Sequence, residues 1–222
     1  MLEMMAMILA AGRGERLKPL TNSIPKCLVK VGNETLLERH FQMLVRAGVT
    51  KVVINLGWLG EKIVDFVGSG EKFGLQVIYS LEDDEILETG GGIVKALPLL
   101  GDQPFWVING DIYTDYIMPD IDLDSNSLGH LILIANPPYR SKGDFNLKDN
   151  KVIKDNILPY TFSGIALYDP KLFKNEVVRK FSIVPILFEC IKNKRLSGSF
   201  FKGGWHDVGT PDRLARLNKL QD

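Results

Sequence analysis

The residues with the clearest chemical potential stand near the N-terminus, where two glycines are accompanied by cations. Gly12 and Gly14 follow a short apolar run, and three basic residues stand among and behind them: Arg13, Arg16 and Lys26. Glycine lets backbone N–H groups come close to a ligand, and oriented N–H groups together with cations bind phosphate oxygens. The spacing therefore predicts a site for a nucleoside triphosphate.

Two aspartates far apart in the chain, Asp111 and Asp207, stand where a carboxylate could hold a metal ion. Asp111 comes just after the apolar run Phe105–Asn109, and Asp207 lies in the segment WHDVGT. Taken alone, each can also be a turn aspartate that accepts backbone N–H groups. Beside a phosphate site, the pair predicts Mg²⁺, which takes one or two carboxylates and completes its shell with water and phosphate oxygens.

Two further features fit phosphate chemistry but have ordinary alternatives. Lys26 follows Pro25, which keeps the preceding residue extended, so the lysine can reach back to the α-phosphate; alternatively it is a solvated surface charge. The segment 89–92 (TGGG) contains three consecutive glycines, each of which disfavours a helix by roughly 1 kcal/mol. Either the backbone comes close to a base or sugar there, or the segment is a flexible loop.

Alternating strands and helices must position these segments. Hydrophobic periodicity, with a capping box formed by Thr35 and Glu38, predicts elements in the first half as follows: strands 5–10, 51–56, 75–80 and 105–109, and helices 35–47, 60–67 and 91–100. The second half is richer in strands: 130–135, 143–147, 151–154, 161–168 and 196–202, with helices 183–194 and 211–219.

Repeated strand–helix–strand units predict an α/β fold. We expect a Rossmann-like, mixed but mostly parallel sheet with helices on both faces, and a smaller β-rich lobe from the second half. Ligands of such sheets bind at the carboxyl ends of the strands. The loop after Leu9, the turn that contains Asp111 and the segment around Asp207 are therefore predicted to meet.

Composition limits the function classes. The chain has 222 residues, 27 of them basic and 27 acidic, and a zero net charge opposes nucleic-acid binding through bulk electrostatics. The two cysteines, Cys27 and Cys190, are not in a metal-spaced pair, which predicts free thiols in a reducing cytoplasm. No run approaches the roughly 18 apolar residues of a membrane span, so we expect a cytoplasmic protein without a membrane partner. The sequence does not indicate an oligomeric state.

Three ordered segments resemble motifs of the sugar-nucleotide nucleotidyltransferases. LAAGRGERLKPLTNSIPK (9–26) resembles the LAAGxGxRxxPxTxxxPK loop, and VINGDIYTD (107–115) resembles the strand that leads to a metal-binding aspartate. WHDVGTPDRL (205–214) is similar to the second metal segment, WxDxGTxxxL. The chain departs from the loop pattern at Cys27, where proline is common. The resemblance implies one nucleotidyltransferase domain over 1–222, of the GT-A-like type, with nucleotide bound mainly by 1–128. Residues 129–222 would supply the sugar-phosphate lobe and the second metal ligand.

The resemblance also implies a role for each matched residue. Lys26, Arg16 and Asp111 would be catalytic, and Asp111 and Asp207 would bind Mg²⁺. The nucleotide would be held by Leu9, Ala10, Ala11, Gly12, Arg13, Gly14, Lys26, Glu82, Thr89 and Gly90. The sugar phosphate would be held by Asn109, Asp144, Ser163 and Gly164.

Additional stretches resemble family members that act on N-acetylmuramic acid 1-phosphate, among them VINLGWLGEKI, LETGGGIVKALPLLGDQPF and TFSGIALYDP. This implies uridylyl transfer from UTP to N-acetyl-α-muramic acid 1-phosphate in peptidoglycan recycling. The attacking phosphate monoester has a second pKa near 6 and is already ionised at pH 7, so no general base is needed. Candidate cations for the lactyl carboxylate of this sugar are Arg140, Lys142 and Lys154, although each can be a solvated loop charge.

The sequence leaves two alternatives open. The first is another sugar-1-phosphate nucleotidyltransferase, such as a mannose-1-phosphate guanylyltransferase or a glucose-1-phosphate thymidylyl- or uridylyltransferase. The second is a catalytically silent subunit that senses nucleotide sugars. We disfavour a silent subunit because Lys26, Asp111 and Asp207 are all present.

Overall fold

A computed structural model describes residues 4–82 and 85–220. Within those ranges the strands are β1 (Met5–Leu9), β2 (Lys30–Val31), β3 (Glu34–Thr35), β4 (Lys51–Leu56), β5 (Gln76–Leu81), β6 (Phe105–Asn109), β7 (Ile112–Thr114), β8 (Gly129–Ala135), β9 (Asn146–Lys148), β10 (Lys151–Ile153), β11 (Tyr160–Tyr168), β12 (Leu196–Phe200) and β13 (Trp205–Asp207). The α-helices are α1 (Leu36–Arg46), α2 (Gly60–Val67), α3 (Glu88–Leu100), α4 (Val184–Lys192) and α5 (Pro211–Asn218).

One mixed sheet runs through both halves of the chain, in the order β5-β4-β1-β6-β11-β8-β12-β10-β9. The four strands from the first half pair in parallel, with β1 between β4 and β6. The antiparallel pairing of β6 with β11 then joins the second half to the same sheet. The β-rich lobe therefore extends the nucleotide-side sheet, and β7 with β13 forms a separate two-stranded ribbon.

Helices cover both faces of this sheet, as the sequence predicts. On one face, Leu37 and Phe41 of α1 and Ile63 of α2 pack against buried side chains of β1, β4 and β6. On the other face, Ile93 of α3 and Leu187 of α4 pack against the alternate side chains of the same strands and of β8. A third cluster packs α5 beneath the N-terminal loop. No helix among the described residues is long and apolar enough to cross a bilayer.

Local sequence signals fix several elements well. The predicted bounds of β4, β6 and α2 are confirmed, and Thr35 and Glu38 form the predicted capping box at the start of α1. The strand predicted over 143–147 has the wrong bounds, since β9 starts at Asn146. A Cβ on Gly143 would lie 2.3 Å from the Tyr160 carbonyl oxygen, so the chain crosses its neighbour there too closely for regular pairing.

Candidate active site

The N-terminal signature loop leaves the carboxyl end of β1 and folds back on itself through short 3₁₀ turns. Gly14 has a left-handed φ of +63°, and a Cβ there would lie 2.8 Å from Thr21 Cγ2. The Thr21 hydroxyl donates to the Gly14 carbonyl at 2.9 Å, and the Trp58 indole N–H donates to the Thr21 carbonyl at 2.9 Å. Glycine is required at position 14 because its φ is left-handed and the fold-back brings Thr21 against it.

A cavity of about 360 Å³ lies at the carboxyl ends of β1, β4, β5 and β6. Eight of the ten residues predicted to hold the nucleotide line it: Leu9, Ala10, Ala11, Gly12, Gly14, Lys26, Glu82 and Thr89. Arg13 is not among them, because its guanidinium lies over the Trp58 ring at 5.0 Å. Gly90 is not among them either, because it packs against Phe181.

A buried polar chain, which the sequence reading missed, fixes the wall of this cavity. Asn55 Oδ1 accepts the Ala10 backbone N–H at 2.7 Å, and Asn55 Nδ2 donates to Glu82 Oε1 at 2.6 Å. The other Glu82 oxygen accepts the Leu87 backbone N–H at 2.7 Å. Asn55 and Glu82 are almost fully buried. Buried polar groups of this kind position their partners strongly because every donor and acceptor needs a partner.

The glycine run belongs to helix α3, which begins at Glu88, three residues earlier than the sequence predicts. A Cβ on Gly90 would meet the Phe181 ring at 2.4 Å, and one on Gly91 would meet the Arg179 carbonyl oxygen at 2.0 Å. A Cβ on Gly92 would lie 2.7 Å from Glu82 Oε1. The glycines make room for this chain's own packing, a reason different from the predicted approach to a base or sugar.

The β7–β13 ribbon unites the two distant aspartates. Asp207 pairs in register with Ile112, and the Val208 N–H donates to the Asp111 carbonyl at 2.8 Å. Both carboxylates face a second cavity of about 450 Å³. Behind the ribbon, His40 Nε2 lies 3.0 Å from the Ile112 carbonyl oxygen, and burial lowers the pKa of His40 to about 4. His40 is therefore a neutral anchor that ties α1 to the ribbon.

Each of the two carboxylates carries its own hydrogen-bond donors. Lys26 Nζ lies 2.5 Å from Asp111 Oδ2. Asp207 accepts the Tyr139 hydroxyl on one oxygen and the Arg213 guanidinium on the other. Burial, and then the bond to Asp207, raises the pKa of Tyr139, so this hydroxyl remains a donor. The sequence reading missed Tyr139 and Arg213, although Arg213 stands six residues after Asp207 in the WHDVGTPDRL segment.

The second cavity contains all four residues predicted for the sugar phosphate, and we name it the acceptor cavity; the first is the nucleotide cavity. Asn109, Asp144, Ser163 and Gly164 all line it. The β8–β11 register shifts between Phe162 and Ala166, and such a bulge re-aims the side chains at a site. Gly164 has a φ of +84°, and a Cβ there would lie 2.8 Å from Asn109 Nδ2.

The three cations considered for a lactyl carboxylate have different surroundings. Arg140 lines the acceptor cavity, where it pairs with both oxygens of Asp144 at 3.0 and 2.8 Å. Lys154 lies outside this cavity, with its ammonium 3.6 Å from the centre of the Phe188 ring. Lys142 is exposed and does not line the cavity.

The two cavities share a boundary at Arg16, Asn109 and Asp111. All three predicted catalytic residues stand at or beside this boundary, because Lys26 lines the nucleotide cavity and pairs with Asp111. Cys27 also lines the nucleotide cavity, but burial raises the pKa of its thiol to about 12, so it stays protonated. Two cavities thus adjoin at a point where Arg16 and Lys26 supply positive charge.

The donor chemistry at this boundary fits a hard divalent cation. Asp111 and Asp207 supply carboxylate oxygens, the ligands that Mg²⁺ prefers, and both line the acceptor cavity. Both already bind positively charged groups in the structure. Two carboxylates leave coordination positions for water and phosphate oxygens, as a Mg²⁺ ion in a phosphate site requires.

Comparisons with known proteins agree with this geometry. The chain is 42% identical to N-acetylmuramate alpha-1-phosphate uridylyltransferase of Neisseria meningitidis serogroup B, with 98% of each chain covered. It is 30% identical to the protein of the same name from Caulobacter vibrioides, covering 98% of this chain and 97% of that one. A solved structure of a candidate glucose-1-phosphate thymidylyltransferase from Bacillus anthracis, bound to a sucrose, superposes with a TM-score of 0.85 at 26% identity. That match covers 97% of this chain and 94% of the other.

The family profile described as "Nucleotidyl transferase" matches residues 5–125. That stretch contains the signature loop, the Asn55–Glu82 chain and Asp111, and so the whole wall of the nucleotide cavity. With more than half of the sequence matched by the profile and near-complete coverage by relatives at 42% and 30% identity, the chain belongs to the nucleotidyl transferase family.

Proposed function

We propose that this protein transfers a uridylyl group from UTP to N-acetyl-α-muramic acid 1-phosphate and releases pyrophosphate. The observation that carries the proposal is the shared boundary of the two cavities at Arg16, Asn109 and Asp111. A nucleotide in one cavity and a sugar 1-phosphate in the other would meet there. The choice of UTP and of the muramic acid phosphate follows the names of the two relatives that match over almost their whole length.

The reaction needs charge neutralisation more than acid–base chemistry. An oxygen of the sugar phosphate forms a bond to the α-phosphorus of UTP, and the bond to the bridging α–β oxygen breaks as pyrophosphate leaves. The attacking oxygen is already ionised at pH 7, since the second pKa of a phosphate monoester is near 6. The chief barrier is repulsion between two anions, and positioned cations lower it.

Each charged residue at the boundary has a part in this chemistry. Lys26 is only 16% exposed, so its charge acts at short range on the reacting phosphate. Arg16 lines both cavities and can neutralise phosphates of either ligand. Asp111 and Asp207 would hold Mg²⁺, which when bound supplies Lewis-acid stabilisation of the phosphate oxygens.

The proposal extends to the cellular setting. Muramic acid is a sugar of the bacterial cell wall, and UTP is a cytoplasmic nucleotide. Formation of UDP-N-acetylmuramic acid from a salvaged sugar phosphate would therefore place the enzyme in peptidoglycan recycling, in the cytoplasm.

A substrate grid tests the proposal. Pyrophosphate release would be measured with Mg²⁺ for four nucleoside triphosphates, each crossed with N-acetylmuramic acid, N-acetylglucosamine, glucose and mannose 1-phosphates. We expect turnover to be greatest with UTP and the muramic acid phosphate. A preference for another pair would change the proposed substrates and leave the proposed reaction type in place. No turnover in any combination would favour a protein that senses nucleotide sugars.

A further inference from the structure

Arg213 faces the acceptor cavity from the first turn of α5. The helix starts after Thr210, whose hydroxyl caps the Arg213 backbone N–H at 3.4 Å. The Arg213 side chain is 25% exposed and lines the acceptor cavity beside Asp207. Its position is fixed by secondary structure, so its charge is held at the cavity wall.

The Arg213 side chain is paired with Asp207. One guanidinium nitrogen donates to Asp207 Oδ2, while Tyr139 donates to Oδ1. The guanidinium also lies 3.6 Å from the centre of the Tyr139 ring. Together these contacts make a three-residue clamp, Tyr139–Asp207–Arg213, which covers both oxygens of the predicted metal ligand.

A second cation reaches the same point. A Cβ on Gly209 would lie 2.9 Å from Arg213 Nη1, 3.0 Å from Asp207 Oδ2 and 3.7 Å from Arg16 Nη2. Two guanidinium groups therefore converge beside one carboxylate, with Gly209 leaving the space between them open. Adjacent guanidinium groups that face a cavity are suited to a ligand with more than one negative charge.

The clamp conflicts with a divalent cation on Asp207. A metal ion bound to that carboxylate would be repelled by a guanidinium at hydrogen-bond distance, and the repulsion is strong where water is partly excluded. We propose that, when the metal ion binds Asp207, the Arg213 guanidinium leaves that carboxylate and binds the phosphate of the sugar 1-phosphate instead. Arg213 is thereby an acceptor-binding residue, and its exchange couples the binding of the metal ion to the binding of the acceptor. This inference rests on the proposed function.

The chemistry of the side chain favours this partner. The guanidinium fork binds a phosphate in the same bidentate way as a carboxylate, so one anion can replace the other. Arg140, another arginine that lines the acceptor cavity, is already held by both oxygens of Asp144. Asp144 is in turn fixed by the Phe162 backbone N–H at 3.0 Å. Arg140 would have to give up its ion pair with Asp144 to bind a ligand. Arg213, in contrast, becomes available when the metal ion takes Asp207.

Binding without turnover tests the exchange. Isothermal titration calorimetry would measure the Kd for N-acetylmuramic acid 1-phosphate in the absence of UTP, with and without saturating Mg²⁺. In the wild type we expect Mg²⁺ to tighten acceptor binding by about tenfold, and by linkage the acceptor to tighten Mg²⁺ binding equally. Arg213→Gln should weaken acceptor binding roughly ten- to hundredfold and abolish most of that coupling.

A matched control removes the same charge one turn away. Arg216 lies on α5 and lines a neighbouring cavity, which shares Tyr139, Asp207 and Arg213 with the acceptor cavity, but it does not line the acceptor cavity itself. Arg216→Gln should leave acceptor binding and its Mg²⁺ dependence within twofold of the wild type. Arg213→Lys keeps the charge and loses the bidentate fork, so it should weaken acceptor binding less than Arg213→Gln does and gives the test if Arg213→Gln fails to fold.

The outcomes separate the two proposals. If the wild type turns over sugar 1-phosphates but Arg213→Gln binds the acceptor as tightly as the wild type, the exchange is wrong and the proposed function stands. Wild-type acceptor affinity in Arg213→Lys would overturn the bidentate contact with the phosphate. If the wild type neither binds nor turns over any sugar 1-phosphate, the proposed function fails and the exchange fails with it.

Discussion

The nucleotide cavity takes about half of its lining from one continuous stretch, 9–27, whereas several short segments line the acceptor cavity and add the aromatic rings of Tyr139, Phe162 and Trp205. Buried hydrogen bonds fix the wall of the first, as in the contact of Asn55 with Ala10. Ion pairs among the lining residues hold the second, as between Arg213 and Asp207. We therefore expect the Asn55 wall to be preformed and the ion-paired residues to exchange partners when ligands bind.

The largest effect should come from the boundary between the cavities. Asp111→Asn should lower kcat by roughly a thousandfold, on the scale of losing a major electrostatic stabiliser. Steady-state pyrophosphate release measures this, with Asp115→Asn as the control because Asp115 lines neither cavity. Near wild-type turnover in Asp111→Asn would show that Asp111 is not a metal ligand and that the boundary between the cavities is not the catalytic site.

A smaller effect should follow from the cation that pairs with Asp111. Lys26→Met should lower kcat about a hundredfold, because a charge next to the reacting phosphate is lost. Thermal stability should change little, since a partly exposed ion pair contributes about 0–1 kcal/mol. Melting curves and kinetics would be compared with Lys30→Met, an exposed lysine on β2. If the free energy of unfolding fell by as much as the activation free energy rose, the role of Lys26 would be structural.

Two asparagines sharpen the contrast between the cavities. Asn55 holds the nucleotide wall, while Asn136 donates to the Leu158 carbonyl at 3.0 Å and accepts from Thr161 on the acceptor side. Asn55→Ala should raise the KM for UTP about tenfold, the scale of one lost buried hydrogen-bond partner. Asn136→Ala should instead act on the KM for the sugar phosphate. Equal effects of both variants on both KM values would show that the cavities are not separately built.

The smallest effect concerns pH and the two buried or half-buried histidines. Burial lowers the pKa of both His40 and His130 below the ordinary value. The unfolded chain then binds more protons, so the contribution of His40 to stability falls as the pH drops from about 6.5 towards 4, by up to about 1.4 kcal/mol per pH unit, and His130 acts in the same direction. The free energy of unfolding, measured with urea at several pH values, should depend less steeply on pH in His40→Gln than in the wild type. The change should be smaller in His130→Gln, because His130 is only partly buried. An unchanged slope in His40→Gln would mean that His40 is not the group that titrates.

The sequence predicted lining residues of both cavities, but it missed contacts that only the fold creates. The signature loop is local, and its glycines, cations and flanking strand are read from one stretch. The strand β13 has three residues and exists only through pairing with distant β7, so no local periodicity reveals it. Helix α3 starts early because packing against Phe181 and Arg179 overrides the low helix propensity of glycine. Tyr139 and Arg213 were missed because only the fold brings them to Asp207.

The ribbon that unites Asp111 with Asp207 also determines when the catalytic boundary can assemble. The parallel pairs of β1, β4, β5 and β6 join residues within the first 109 positions, whereas β13 joins β7 across most of the second half of the chain. The partners of β7 and β13 are about as far apart in sequence as those of β1 and β6, so the two pairings differ in the order of synthesis: β13 is made long after β1, β4, β5 and β6. During synthesis, the nucleotide half can therefore become ordered while the second carboxylate is still missing. Substrate binding should precede catalytic competence in the nascent chain.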